Sequence, residues 1–160
     1  MFLYQYDDHR NPRKYIPGTV WVRHHLDELS LQQRIEYALG QLRPYGGLHS
    51  AVYVVYFWET IEKVTALLGD LDAWGDVEFV TDYVPQDEDD DTWIVKITSE
   101  SFDVATLQSL LTLEFHYEHA LEPSLSMRVL LYLHSHQQSK YLFRFYDDRG
   151  FDEYRWFKEQ

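Results

Sequence analysis

The sequence predicts an α+β domain, a mostly antiparallel sheet with about three helices packed on one face. Three observations carry this. Aromatic residues make up 17% of the 160 residues, and rings and β-branched side chains suit the pleated, half-buried surface of a sheet. The apolar pattern switches three times from strand-like runs to recurrence every three to four residues, the spacing of a helical face. Several strand-like runs also follow one another with only a turn between them, which points to antiparallel pairing rather than a doubly wound α/β sheet.

The elements follow in order. Residues 2–6 (FLYQY) read as a short strand, and 7–12 (DDHRNP) as a polar turn. Pro17-Gly18 punctuates the next junction. Residues 19–26 (TVWVRHHL) are β-branched and aromatic, hence a strand. Ser30 is placed to cap a helix over 31–43, because its hydroxyl accepts from an orphan amide of the first turn. Leu31, Ile35, Ala38, Leu39 and Leu42 give that helix one apolar face, and Pro44 with Gly46-Gly47 ends it. Residues 49–58 (HSAVYVVYFW) are nearly continuous in apolar character, as expected of a strand covered on both faces. A second helix is predicted over 60–71, capped by Thr60, with Ile61, Val64, Leu67, Leu68 and Leu71 on one side. Residues 77–84 alternate like a half-buried strand, 86–91 form an acidic loop, and 92–98 return as the partner strand of a hairpin. Ser101 or Asp103 caps a third helix over 104–121, whose apolar arc of Leu107, Leu110, Leu111, Phe115 and Tyr117 predicts burial. Strands over 127–134, 141–146 and 151–157 complete a single domain spanning 1–160.

The composition excludes several function classes. There is no cysteine, hence no disulfide scaffold, no thiolate zinc site and no cysteine nucleophile. No basic region followed by a long apolar run opens the chain, and no apolar stretch approaches the ~20 residues of a membrane helix. The reading is a soluble cytoplasmic protein. Acidic residues number 27 against 14 basic ones, a net charge of −13. A field of that sign repels nucleic acid and anionic lipid and attracts basic partners.

Residues 147–150 (DDRG), between two aromatic runs, have the chemistry of a turn: Asp147 and Asp148 accept local backbone hydrogen bonds, and Gly150 is expected to supply the positive-φ position that closes a bulged hairpin. The turn also offers two carboxylates and the Arg149 guanidinium at a sheet end. Carboxylates adjacent on a strand point to opposite sides, a poor geometry for acid–base pairing. The stretch from Tyr146 to Asp152 (YDDRGFD) resembles the C-terminal signature of an uncharacterised bacterial family, domain of unknown function DUF-3885. The segment LEPSLSMRVLLYL from Leu121 is similar to that family's Pro-Ser-Leu segment before a strand, and the helix and apolar strand from Arg34 to Glu59 are similar in kind. The resemblance implies a small bacterial cytoplasmic domain and brings no reaction or catalytic residues with it.

Two histidine spacings bear on metal binding. His116 and His119 share one face of the third helix, and His134 and His136 one side of a strand end. Nothing in the sequence brings the two pairs together, so no metal site and no cofactor are predicted. The run Asp87, Glu88, Asp89, Asp90, Asp91 lacks the glycine and downstream glutamate of a calcium loop. No phosphate loop, nucleophile elbow or His-Glu-x-x-His motif is present. Rings beside carboxylates instead suit the gripping of Lys/Arg-rich surfaces. The predicted contact residues are therefore the five acidic residues at 87–91 with Tyr83 and Trp93, together with Asp147, Asp148 and Arg149. The predicted function is non-catalytic: an acidic immunity protein that neutralises a basic bacterial toxin domain, possibly a nuclease. The alternatives are a regulatory or structural interaction domain and, behind it, a metal-dependent hydrolase built on the histidine pairs.

Overall fold

A computed structural model describes the backbone of residues 18–81, 91–135 and 139–157 and, except at positions 139, 146, 147 and 157, their side chains. The strand predicted over 2–6, the turn at 7–12 and most of the acidic loop lie outside these residues. Among the described residues ten principal elements run in the order β1 (Val20–His25), α1 (Leu31–Leu42), β2 (His49–Phe57), α2 (Ile61–Leu68), β3 (Asp76–Val80), β4 (Trp93–Ser99), α3 (Val104–Glu118), β5 (Met127–Ser135), β6 (Ser139–Asp147) and β7 (Gly150–Phe157). The seven strands form one sheet in the order β1-β7-β6-β5-β2-β4-β3, and every adjacent pair is antiparallel. The fold is α+β. Among the described residues no helix is long and apolar enough to cross a membrane.

Local chemistry accounts for the helices. Ser30 caps α1 through the Gln33 amide, and the Gln33 side chain accepts from the Ser30 amide in return, so two orphan donors are satisfied reciprocally. Ile35, Ala38, Leu39 and Leu42 form the buried face of α1. Thr60 caps α2 through the Lys63 amide. The cap of α3 is Asp103 rather than Ser101, its carboxylate accepting from the Ala105 amide at 2.9 Å.

Two predicted helices are shorter than their apolar patterns. α2 stops at Leu68 because Gly69 takes φ +76°, and Leu71 falls in a separate 3-10 turn (Leu71–Trp74). α3 stops at Glu118: Ala120 adopts φ 52° and the Leu121 amide closes back on the His116 carbonyl. Tyr117, expected inside, is 48% exposed at that end.

The main core lies between the three helices and one face of the sheet, with Tyr53, Val55 and Phe57 of β2 meeting Leu39, Val64 and Leu111 of the helices. The opposite sheet face carries a second buried apolar cluster including Val54, Tyr56, Leu130, Tyr132, Leu142 and Tyr154. Strand β2 lies at the centre of both clusters, which explains its unbroken apolar sequence. The hairpin of β6 and β7 turns through Asp148 and Arg149. Its register passes from Phe145 opposite Phe151 to Asp147 opposite Gly150, so the extra residue of the bulge is on β6.

Candidate functional site: an aromatic groove with acidic groups

The antiparallel order places the C-terminal ends of β2 and β3 beside the N-terminal end of β4. There the chain from β2 into α2 and the outer strands β3 and β4 enclose a groove of about 600 Å³. Trp93 and Phe79 line it, and the buried Phe57 backs Trp93 from the core. Phe57 pairs with Trp93 across the β2–β4 ladder, and their rings stack at 4.5 Å between centroids. Phe79 of β3 lies tilted against Trp93 at 6.1 Å. The Trp93 indole N–H donates to the Glu59 carbonyl at 2.7 Å, which fixes the ring. Trp93 is thus a part-buried floor residue rather than a projecting anchor.

Three lining side chains present apolar surface to the outside: Trp58, Ile61 and Phe79, which are 38%, 49% and 51% exposed. The lining also includes the carboxylates of Glu59, Glu62 and Asp91 and no Lys, Arg or His among the described residues. Glu59 has a structural task as well. Its carboxylate accepts from the Ser126 amide at 3.0 Å and pairs with Lys63 at 3.4 Å, tying the start of α2 to the chain entering β5. Glu62 and Asp91 are exposed. The arrangement offers apolar contact area, two exposed rings and a negative field, the combination that accepts a long apolar stem ending in a cation.

Of the predicted contact residues, Asp91 and Trp93 line this groove, while Tyr83, Asp87, Glu88, Asp89 and Asp90 lie outside the described residues. The turn after β6 is at the same end of the sheet, but β6 is three strands from β4, roughly 14 Å at normal strand spacing. Asp148 does not face outward. It is 5% exposed, and its carboxylate receives Arg34 Nη1 at 2.5 Å and contacts His119 Nε2. Arg34 also donates to the carbonyls of Leu29 and Asp27, each at 2.9 Å, and the Leu26 amide donates to the Arg149 carbonyl at 2.7 Å. Asp148 thus locks the hairpin to α1 and the end of α3, and its carboxylate is withdrawn from any partner surface. Arg149 remains exposed; the side chain of Asp147 lies outside the description.

The histidine pairs separate. His116 and His119 close α3, whose C-terminal part is tied to the entry of β5 by the Leu125 amide and the Leu113 carbonyl. His134 is at the far end of β5, roughly 20 Å along the strand from its start. His136 lies outside the described residues. His116 Nδ1 is 3.0 Å from the Pro123 carbonyl, a structural contact. Among the described residues no three His, Asp or Glu side chains gather as a metal would need.

The residues missed in the sequence are Trp58, Ile61, Phe79, Glu59 and Glu62. Trp58 and Ile61 looked like the continuation of an apolar strand and the first apolar position of a helix. Their exposure follows from where the chain leaves the sheet, which the one-dimensional pattern does not encode. Searches against protein-family models, curated proteins and solved structures find no match to this chain.

Proposed function

We propose that this chain is a non-catalytic binding protein that grips a basic protein through the groove at the ends of β2, β3 and β4. The partner chemistry that fits best is a bacterial toxin domain whose cationic surface engages nucleic acid, which makes the chain an immunity protein. The observation that carries this reading is the conjunction of Trp58, Ile61 and Phe79, exposed and adjacent, with the carboxylates of Glu62 and Asp91. Rings and aliphatic surface supply an anchor, and carboxylates select a cationic partner and speed encounter. The net charge of −13 extends the same attraction over the molecule. A protein seated on a toxin's phosphate-binding surface blocks its substrate without any chemistry of its own.

The test is co-expression with a basic toxin domain encoded beside this chain's gene, followed by binding of the purified pair. A stable complex, lost or weakened at least tenfold by Trp58→Ala with Phe79→Ser in a folded variant, is the expected result. A complex indifferent to these substitutions contradicts the groove as the binding surface. Folded protein that neither binds nor protects against the toxin contradicts the immunity reading.

A further inference from the structure

Helix α1 covers the sheet as far as His24 and Phe151, whose rings meet that of Tyr37, and ends in the 3-10 turn Arg43–Tyr45. Beyond it, on the same sheet face, lies a cavity of about 210 Å³, lined among the described residues by Val20, Val22, Tyr45, Tyr141, Glu153 and Arg155. The register explains this set. Arg155 of β7 stands between Val20 of β1 and Tyr141 of β6, and Glu153 stands opposite Val22, so these side chains share one face. All six are accessible: Val20, Val22 and Arg155 are exposed, and Tyr45, Tyr141 and Glu153 are half-buried. The rings of Tyr45 and Tyr141 meet at 4.9 Å between centroids, and His49 stands edge-on to both, at 5.1 and 5.8 Å.

The charges of the lining select the ligand class. Glu153 and Arg155 project side by side from β7, yet no ion pair joins them, and among the described residues Arg155 has no carboxylate partner. Behind Glu153 stands His24, stacked on Phe151. The His24 side chain is only 9% exposed; its Nδ1 is 2.9 Å from the Tyr37 hydroxyl, and its Nε2 faces the Glu153 carboxylate at 3.8 Å with no hydrogen bond of its own. His24 thus backs the carboxylate from the core side, and the remaining acceptor capacity of Glu153 is left to the cavity. Burial, and after it the Glu153 carboxylate, raises the pKa of the Tyr45 phenol, while Arg155 lowers it, so a neutral hydroxyl lies in the field of both charges. A ligand of one sign would satisfy one charged group and be repelled by the other. We propose that this cavity binds a free α-amino acid with a small aliphatic side chain. The ammonium donates to Glu153, Arg155 donates to the carboxylate, and the side chain lies against Val20 and Val22. The volume, below the ~300–1,000 Å³ of drug-sized pockets, limits the ligand to a few heavy atoms. This site shares no lining residue with the groove and stands independently of the proposed partner.

Titration calorimetry on the full chain tests it, with L-valine, isobutylamine (valine without its carboxylate) and isovalerate (valine without its ammonium) as probes. The expected result is one-to-one binding of L-valine, with each control weaker by about 10-fold or more, as loss of a hydrogen-bonded charge contact implies. Arg155→Gln should weaken L-valine to a similar degree and erase its advantage over isobutylamine while leaving that over isovalerate. Glu153→Gln should do the reverse, and Glu62→Gln in the groove should change nothing. Thermal melts verify that each variant is folded, and either cavity variant alone suffices for the reading. Absence of L-valine binding, a control that binds as tightly, or L-valine binding indifferent to the folded cavity variants overturns the proposal.

Discussion

Arg34 serves three acceptors at once: the Asp148 carboxylate and the carbonyls of Leu29 and Asp27. Replacing it with Met keeps much of the stem's packing but leaves a buried carboxylate short of its cation. Such a loss costs about 3–5 kcal/mol. Urea unfolding of Arg34→Met should show it, whereas the exposed Arg43, paired with Glu36 at 3.5 Å, should cost under ~1 kcal/mol when changed to Met. Equal effects would contradict a lock at Asp148. A second buried carboxylate, Asp152, is 0% exposed and stands between Arg23 at 2.8 Å and Arg144 at 2.6 Å. Burial alone raises its pKa, but hydrogen bonds and charge from Arg23 and Arg144 outweigh burial and hold it below the usual carboxylate value. A lowered folded pKa means that the unfolded chain binds the proton more readily. Asp152 therefore stabilises the fold above its unfolded pKa of ~4, and this contribution is lost as pH falls through the folded value. The acid limb of a stability–pH curve should be shallower for a folded Asp152→Asn variant than for wild type; identical acid limbs would remove Asp152 from the account.

The elements show where one-dimensional pattern succeeds. Strands β1, β2, β4, β5, β6 and β7 and helix α1 were legible because their apolar pattern and their turn or cap residues agree, as at Ser30 and Pro44. β3 and the two other helices were less so. Leu71 continues the apolar spacing of α2, yet the left-handed Gly69 breaks the helix before it. The turn that follows brings Gly75 against β4, with φ +152°; a Cβ there would lie 2.2 Å from the Thr98 carbonyl oxygen. That close approach is tertiary and leaves no mark on sequence beyond the glycine itself. Gly75→Ala should destabilise by roughly 2–4 kcal/mol through clash and backbone strain together. Gly40, in α1 with open space around its Cβ position, should instead tolerate Ala with a gain of ~0.5–1 kcal/mol. Thermal melts of the two variants check this, and equal midpoints would contradict the close packing of the turn on β4.

At the scale of the whole molecule, the acidic balance and the aromatic excess were visible in sequence and pointed to a cation-binding surface. The site itself was only partly legible. Trp93 and Asp91 fall in the groove, but Trp58, Ile61 and Phe79 become neighbours only through the β2–β4–β3 pairing and the exit into α2. Asp148 looked like an exposed turn carboxylate because its partners, Arg34 and His119, are 114 and 29 positions away in sequence. If the groove receives a basic protein, its parts have separable kinetic roles. Glu62 and Asp91 steer encounter over the ~8–10 Å screening length, and Trp58 and Phe79 hold the bound partner. The most direct test measures association and dissociation rates with a purified basic toxin domain at low and physiological salt. The expected result is an association rate that falls with salt and with Glu62→Gln plus Asp91→Asn, and a dissociation rate that rises at least tenfold with Trp58→Ala. An association rate insensitive to salt and to these carboxylates, with dissociation unchanged by Trp58→Ala, would contradict the groove as the recognition surface.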